Sequence, residues 1–135
     1  NWEEVDGPSG FGVLGSSMTE SSGIFTFPST GYWHIIFNLG VNIQTPDASR
    51  YCSARIYTTI DNSSYTYAVI GFAGVQSMES STGYNIASAE YIFDVTSTAN
   101  CKCSFAAINN NANVWHGGDT SYNWTYITFI RLGDT

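Results

Sequence analysis

Tyr122-Asn123-Trp124-Thr125-Tyr126-Ile127-Thr128-Phe129-Ile130-Arg131-Leu132-Gly133-Asp134-Thr135 closes the chain with the pattern of a long β-strand. Trp124, Tyr126, Thr128, Ile130 and Leu132 share one parity, and Ile127 and Phe129 share the other. Successive strand side chains project to opposite sides, so this strand carries large apolar groups on both faces. A strand on the outside of a lone sandwich keeps one polar face. The pattern therefore predicts that one face fills the domain core and the other meets a second body, most simply another copy of the chain. Ile127 and Phe129 are assigned to the core. Tyr126 and part of Trp124 are assigned to the contact between copies.

The same period recurs upstream. Residues 32–43 put Trp33, Ile35, Phe37 and Leu39 on one face, with Tyr32, His34, Ile36, Asn38 and Gly40 on the other. Residues 50–60 place Cys52, Ala54, Ile56, Thr58 and Ile60 on a core face. Asp61-Asn62-Ser63-Ser64 reads as a hairpin loop, since Asp and Asn tolerate turn geometry. In the returning strand, 65–75, Tyr67 and Val69 share a face. Residues 76–84 read as a loop. Residues 86–95 and 101–108 are two more strands joined by a turn over 96–100. Asn109 to Asn113 form a polar tip, Val114-Trp115-His116 a short strand and Gly117-Gly118-Asp119 a turn. Ile24-Phe25-Thr26-Phe27 is a short strand stopped by Pro28, which has no amide hydrogen to continue a ladder. Residues 1–22, with Trp2, Val5, Phe11, Val13, Leu14 and Met18 dispersed among Gly, Ser and acids, hold one or two short strands. No helix, repeat or linker is readable. Many strands separated by Gly, Asn and Ser turns predict an all-β sandwich or barrel forming one domain over residues 1–135.

A chain of 135 residues is long enough to bury a core without metal or disulfides. Charged residues make up only 11% of it, against about 25% in ordinary soluble domains, so solubility must come from Ser, Thr, Asn and Gly. The net charge is −7, and the four cations, Arg50, Arg55, Lys102 and Arg131, are scattered. Nucleic acid and anionic lipid both need clustered cations, so neither is an expected partner. No stretch approaches the roughly 20 apolar residues of a membrane span, and no signal peptide is visible. The first residue is Asn1 and not Met, which predicts a processed product or a piece of a longer protein. Cys101 and Cys103 on one strand would hold their thiols about 6–7 Å apart, a poor spacing for a bridge. Three reduced, buried thiols are expected, and with them assembly in a reducing compartment.

Catalytic constellations are weak. Gly7-Pro8-Ser9-Gly10 does not form a nucleophile elbow, and His116-Gly117-Gly118 reads as a tight turn. Glu90 and Asp94 on one strand face lie about 13 Å apart by strand rise, too far for glycoside hydrolysis. His34, His116 and the cysteines lack zinc spacing, and neither metal nor cofactor is expected; Asp119 with the Asn109–Asn113 tip is the one place offering oxygens to calcium. Trp115, His116, Asp119, Tyr122 and Asn123 gather in the last loop region. Aromatic faces beside amides and carboxylates suit sugar rings, which makes these five the candidate ligand-binding residues. Packing of Trp115 and Tyr122 into the sandwich or a seam is the competing reading. Asn62-Ser63-Ser64 and Asn123-Trp124-Thr125 are glycosylation sequons, relevant in a eukaryotic source.

The run Gly23-Ile24-Phe25-Thr26-Phe27-Pro28-Ser29-Thr30-Gly31-Tyr32-Trp33-His34-Ile35-Ile36-Phe37 resembles a stretch of the globular heads of complement component one-q and their tumour necrosis factor-like relatives. Val114-Trp115-His116-Gly117-Gly118 followed by Trp124 to Ile130 is similar to that family's last two strands. The family's Gly-Asp turn is replaced by Thr98-Ala99-Asn100-Cys101, so its calcium sites are not implied. The resemblance implies a ten-stranded jelly roll forming a homotrimer, with Trp124, Tyr126 and Tyr32 at the trimer interface. The closing residues, the Ser, Asn and Tyr-rich surface and the unpaired thiols look like the tip domains of bacteriophage virion proteins. The expected function is that of a non-enzymatic fibre or capsid knob at the virion surface, the C-terminal domain of its protein. It would assemble in the host cytoplasm, contact other virion proteins and attach to a host glycan or receptor. The alternative is a secreted lectin or ligand of the complement-head type, which a disulfide at Cys52 would favour.

Overall fold

A computed structural model describes residues 2–5, 13–44, 46–119 and 121–135; Phe11 and the Gly7-Pro8-Ser9-Gly10 run lie outside the described residues. Among the described residues there are nine strands and no helix. They are β1 Thr19–Ser21, β2 Ile24–Thr26, β3 Gly31–Ile43, β4 Ala48–Thr59, β5 Thr66–Gln76, β6 Gly83–Val95, β7 Lys102–Asn109, β8 Val114–His116 and β9 Tyr126–Gly133. All pairings are antiparallel. One sheet has the order β1-β2-β7-β4-β5; in the other, β6 and β3 are neighbours, and β8 and β9 share the remaining edge of β3 end to end.

Alternation along β3 decides where the core sits. Trp33, Ile35, Phe37 and Leu39 point inward as expected, and the stripe runs on through Val41 and Ile43. Against it the first sheet presents Phe25, Cys52, Ala54, Ile56 and Cys103, all buried. An aromatic cluster bridges the layers: Phe105 meets Phe25 at 5.2 Å and Phe37 at 5.3 Å between ring centroids, and Phe129 meets Phe25 at 5.5 Å. Ile127 and Phe129 of β9 therefore pack on the core, and the opposite parity of that strand faces outward. The sheets approach most closely where β5 passes β6; a side chain at Gly71 would overlap the Ser88 carbonyl.

Several expectations need correcting. Nine strands lie among the described residues, where the resemblance implies ten for the whole chain. Ile60 is 73% exposed and not in the core, because β4 ends at Thr59, whose hydroxyl donates to the Asp61 carboxylate at 2.7 Å and starts the turn. Tyr67 and Val69 do not share a face. The register passes from Ile56↔Val69 to Tyr57↔Tyr67, leaving Ala68 as an extra residue. Such a bulge reverses the parity beyond it, so Ala68 and Val69 pack on the core while Tyr67 turns out. Strand β6 begins inside the predicted 76–84 loop. Gly117 donates its N–H to the Gly40 carbonyl at 2.9 Å, so His116-Gly117-Gly118 prolongs the pairing of β8 and makes no tight turn.

Cys52, Cys101 and Cys103 are free and buried. Strands β4 and β7 are adjacent, yet Cys103 lies opposite Thr58, six positions beyond Cys52. Six residues of strand span about 20 Å, far outside disulfide reach. Burial pushes the Cys103 thiol far above the ordinary thiol range.

The β4–β5 loop is held by Asp61. Its Oδ1 accepts the Ser64 N–H at 2.7 Å, the Thr59 hydroxyl at 2.7 Å and the Ser63 N–H at 2.9 Å. These bonds, the Ser64 one first, hold the carboxyl well below the usual carboxylate range. A depressed acid stabilises the fold above its unfolded pKa and loses that contribution as pH falls. Asp61→Ala is thus expected to lower the thermal midpoint at neutral pH. The gap to the parent chain should narrow below pH of about 3.9; thermal melts from pH 7 to pH 2 check both parts.

Candidate functional site

The outward face of the β6-β3-β9 sheet is built from rows fixed by register. Ile92, His34 and Ile130 form one row, Glu90, Ile36 and Thr128 the next, and Ser88, Asn38 and Tyr126 the third. The polar members satisfy one another. His34 Nε2 lies 3.1 Å from Glu90 Oε2, and the Ser88 hydroxyl donates to Asn38 Oδ1 at 2.6 Å. Aliphatic groups stand in solvent among them: Ile86, Ile92 and Ile130 are 53%, 58% and 45% exposed, beside the exposed Glu90 and Asp94. Tyr32 is exposed on this face opposite Asp94, and Tyr126 is half-buried opposite Asn38.

Trp124 precedes β9 and does not lie on it. It occupies the junction where β8 stops and β9 starts along the edge of β3. A side chain at Gly40 or at Gly117 would overlap its indole ring; the two glycines form a slot, and the ring fills it. The Gly40 backbone, left without a strand partner on that side, donates to Thr125 Oγ1 at 3.1 Å and accepts from Gly117. Buried backbone groups need such partners. Tyr84 lies 6.1 Å from the Trp124 ring, and Tyr84, Ile86, Tyr122, Asn123 and Trp124 together line a shallow, open depression.

The five candidate ligand residues separate. Tyr122 and Asn123 lie at this depression. Trp115 is exposed and sits opposite Asn42, which on its other side faces Tyr84. Two strand spacings, about 10 Å, therefore separate Trp115 from Tyr84 on one sheet face. His116 pairs with Val41 and so has the inward parity, but at the sheet edge it stays exposed; its Nε2 lies 2.9 Å from Asn109 Oδ1, and partial desolvation lowers its pKa. Asp119 Oδ1 accepts the Ser121 N–H at 2.7 Å within its own loop. Sequence reasoning missed Tyr84 and Ile86, because Tyr84 lay in a predicted loop and Ile86 read as an ordinary strand residue.

Among the described residues His34 is bonded to Glu90 and His116 to Asn109, and neither is bonded to a hydroxyl or thiol. Among the described residues no group of three His, Cys, Asp or Glu side chains converges as a metal site would require. The polar tip is bonded inward: Asn113 Nδ2 donates to Asp47 Oδ2 at 2.7 Å and Asn111 Nδ2 to the Ala48 carbonyl at 3.1 Å. No known family model matches the sequence, and no curated protein matches it.

Proposed function

We propose that the chain is a non-enzymatic, homotrimeric jelly-roll module that stands at a virion surface as a fibre or capsid knob and attaches to host-surface glycans. The observation that carries the proposal is the outward face of the β6-β3-β9 sheet. Isoleucine has no polar tip for water or a sugar to use, and its burial against another apolar surface is favourable by about 25 cal/mol per Å². Three exposed isoleucines among mutually satisfied polar pairs make a face suited to a like protein face. The pairing scheme favours the jelly roll: β2 with β7, β3 with β6 and β4 with β5 are nested, as in one long hairpin of strands rolled up on itself. The buried free thiols are compatible with assembly in a reducing cytoplasm. Trp115 supplies an exposed stacking face for a sugar, and Tyr122 and Asn123, at the depression by Tyr84, supply a second ring and an amide.

Sedimentation equilibrium is expected to give a mass near three times 14.7 kDa; a monomer at micromolar concentration overturns the assembly. Trp115→Ala should abolish most binding to the neutral glycans of an array and leave the sedimented mass unchanged. Unaltered binding by that variant removes Trp115 from the site.

A further inference from the structure

The other sheet also shows apolar groups to solvent, but of a different kind. Its outer face carries Tyr51, Tyr57, Tyr67 and Phe72 with Arg55 among them, and Phe72 and Tyr67 are exposed. Arg55 is fixed from two sides. Its Nε donates to the hydroxyl of fully buried Ser53 at 3.0 Å, and its Nη1 donates to the Tyr67 hydroxyl at 3.2 Å. Its Cζ lies 5.6 Å from the centre of the Tyr67 ring, and the Tyr57 and Tyr67 rings are 4.6 Å apart. Both anchors are neutral. Among the described residues the close contacts of a basic side chain with a carboxylate are His34–Glu90 and Arg131–Asp134, and no described carboxylate is paired with this guanidinium. On β7 its neighbours are small, Ala106 opposite Arg55 and Ser104 opposite Tyr57, with Ile108 opposite Ser53 beyond them.

Two bulges build the arrangement. The extra Ala68 on β5 turns Tyr67 onto this face, beside Tyr57. At the other end of the same ladder the register steps from Ser49↔Val75 to Cys52↔Ala73, so Arg50 and Tyr51 together face Gly74. There Arg50 lies 5.5 Å over the Tyr51 ring, which meets Phe72 edge-on at 5.8 Å. Bulges re-aim side chains and are over-represented next to functional sites. Here each one produces an arginine stacked on a tyrosine, and the two lie about 16 Å apart along β4 by strand rise.

We infer that Arg55, Tyr57 and Tyr67 form a binding site for a carboxylate-bearing sugar of an acidic glycan chain, with Arg50, Tyr51 and Phe72 as a second subsite along the same chain. The bonds to Ser53 and Tyr67 use one N–H each at Nε and Nη1, which leaves the Nη2 hydrogens and the second Nη1 hydrogen for a carboxylate. The tyrosine and phenylalanine rings offer faces for the apolar side of sugar rings and, for the tyrosines, a polar tip. Single-stranded nucleic acid also uses arginines and aromatic rings, but a continuous basic groove tracks its backbone, and two arginines about 16 Å apart do not make one. The site lies on the sheet opposite the proposed seam and away from Trp115, and depends on neither.

The test is calorimetric titration of the intact chain with oligogalacturonate, a neutral cello-oligosaccharide of equal length and oligothymidylate. Oligogalacturonate should bind, more weakly as salt rises, and the neutral oligomer should not. Arg55→Gln should weaken binding at least about tenfold. Arg55→Lys should also lose most of it, because an ammonium cannot fork. Trp115→Ala should bind as the parent does, which separates this site from the loop candidates. Absence of binding, equal affinity for the neutral oligomer, tighter binding of oligothymidylate, or an Arg55→Gln variant that folds and binds normally would each overturn the assignment.

Discussion

Phe37→Ala is expected to lower the free energy of unfolding by about 3–5 kcal/mol. The ring is 1% exposed on the central strand of its sheet and meets Phe105 at 5.3 Å and Trp2 at 6.1 Å. Its removal takes contacts from both layers at once, and strand pairing on either side of β3 prevents the backbone from closing the void. Total stabilities of domains are about 5–15 kcal/mol, so the variant should sit near the limit of folding. Urea denaturation with an unchanged slope measures the loss. Ile36→Ala, one residue away but on the outward face, is the control. In the dissociated chain it should cost far less, and equal losses at the two positions would contradict the layer assignment.

Ile92→Asp combined with Ile130→Asp is expected to convert the proposed trimer into a monomer that keeps the parent β-type circular dichroism spectrum. The two residues flank His34 in one row, so the substitutions place carboxylates on both sides of it. Between copies those charges would lose water without gaining partners, which costs several kcal/mol for each ion. In the isolated chain they remain hydrated and cost little. Phe72→Asp, on the opposite sheet, should leave the sedimented mass unchanged. A double variant that still sediments as the parent does would place the contact between copies elsewhere; one that unfolds would show that these isoleucines serve the monomer's own core.

Much of the sandwich was legible because period-two alternation is a direct consequence of strand geometry. The stripe from Trp33 to Leu39, the β4–β5 hairpin and the two faces of β9 all followed from it. Register did not. A single extra residue, Ala68, leaves composition and apparent periodicity almost intact, yet it moves Tyr67 to the opposite side of the sheet and creates the contact with Tyr57 and Arg55. Ile60 was misplaced because alternation continues in the sequence past the point where Asp61 captures the Thr59 hydroxyl. The slot for Trp124 depends on Gly40 and Gly117, far apart in the chain and joined only because β8 pairs with β3. The separation of two candidate ligand residues was by contrast local: His116 and Trp115 are adjacent in sequence, and adjacency on a strand sends them to opposite faces.

Ile35 pairs with Tyr91 on one side and with Phe129 on the other. During synthesis β3 must therefore wait for β6 before one side of its backbone is paired, and for β8 and β9 before the other is. The β4–β5 hairpin can close early, since its halves are neighbours in sequence, but long loops must be closed before β3 gains its contacts, and such topologies fold slowly. Through that interval Trp33, Ile35, Phe37 and Leu39 stand on an unpaired ribbon. The segment that ends most deeply enclosed is the one that stays longest available to holding chaperones, and to the nascent chains of neighbouring ribosomes.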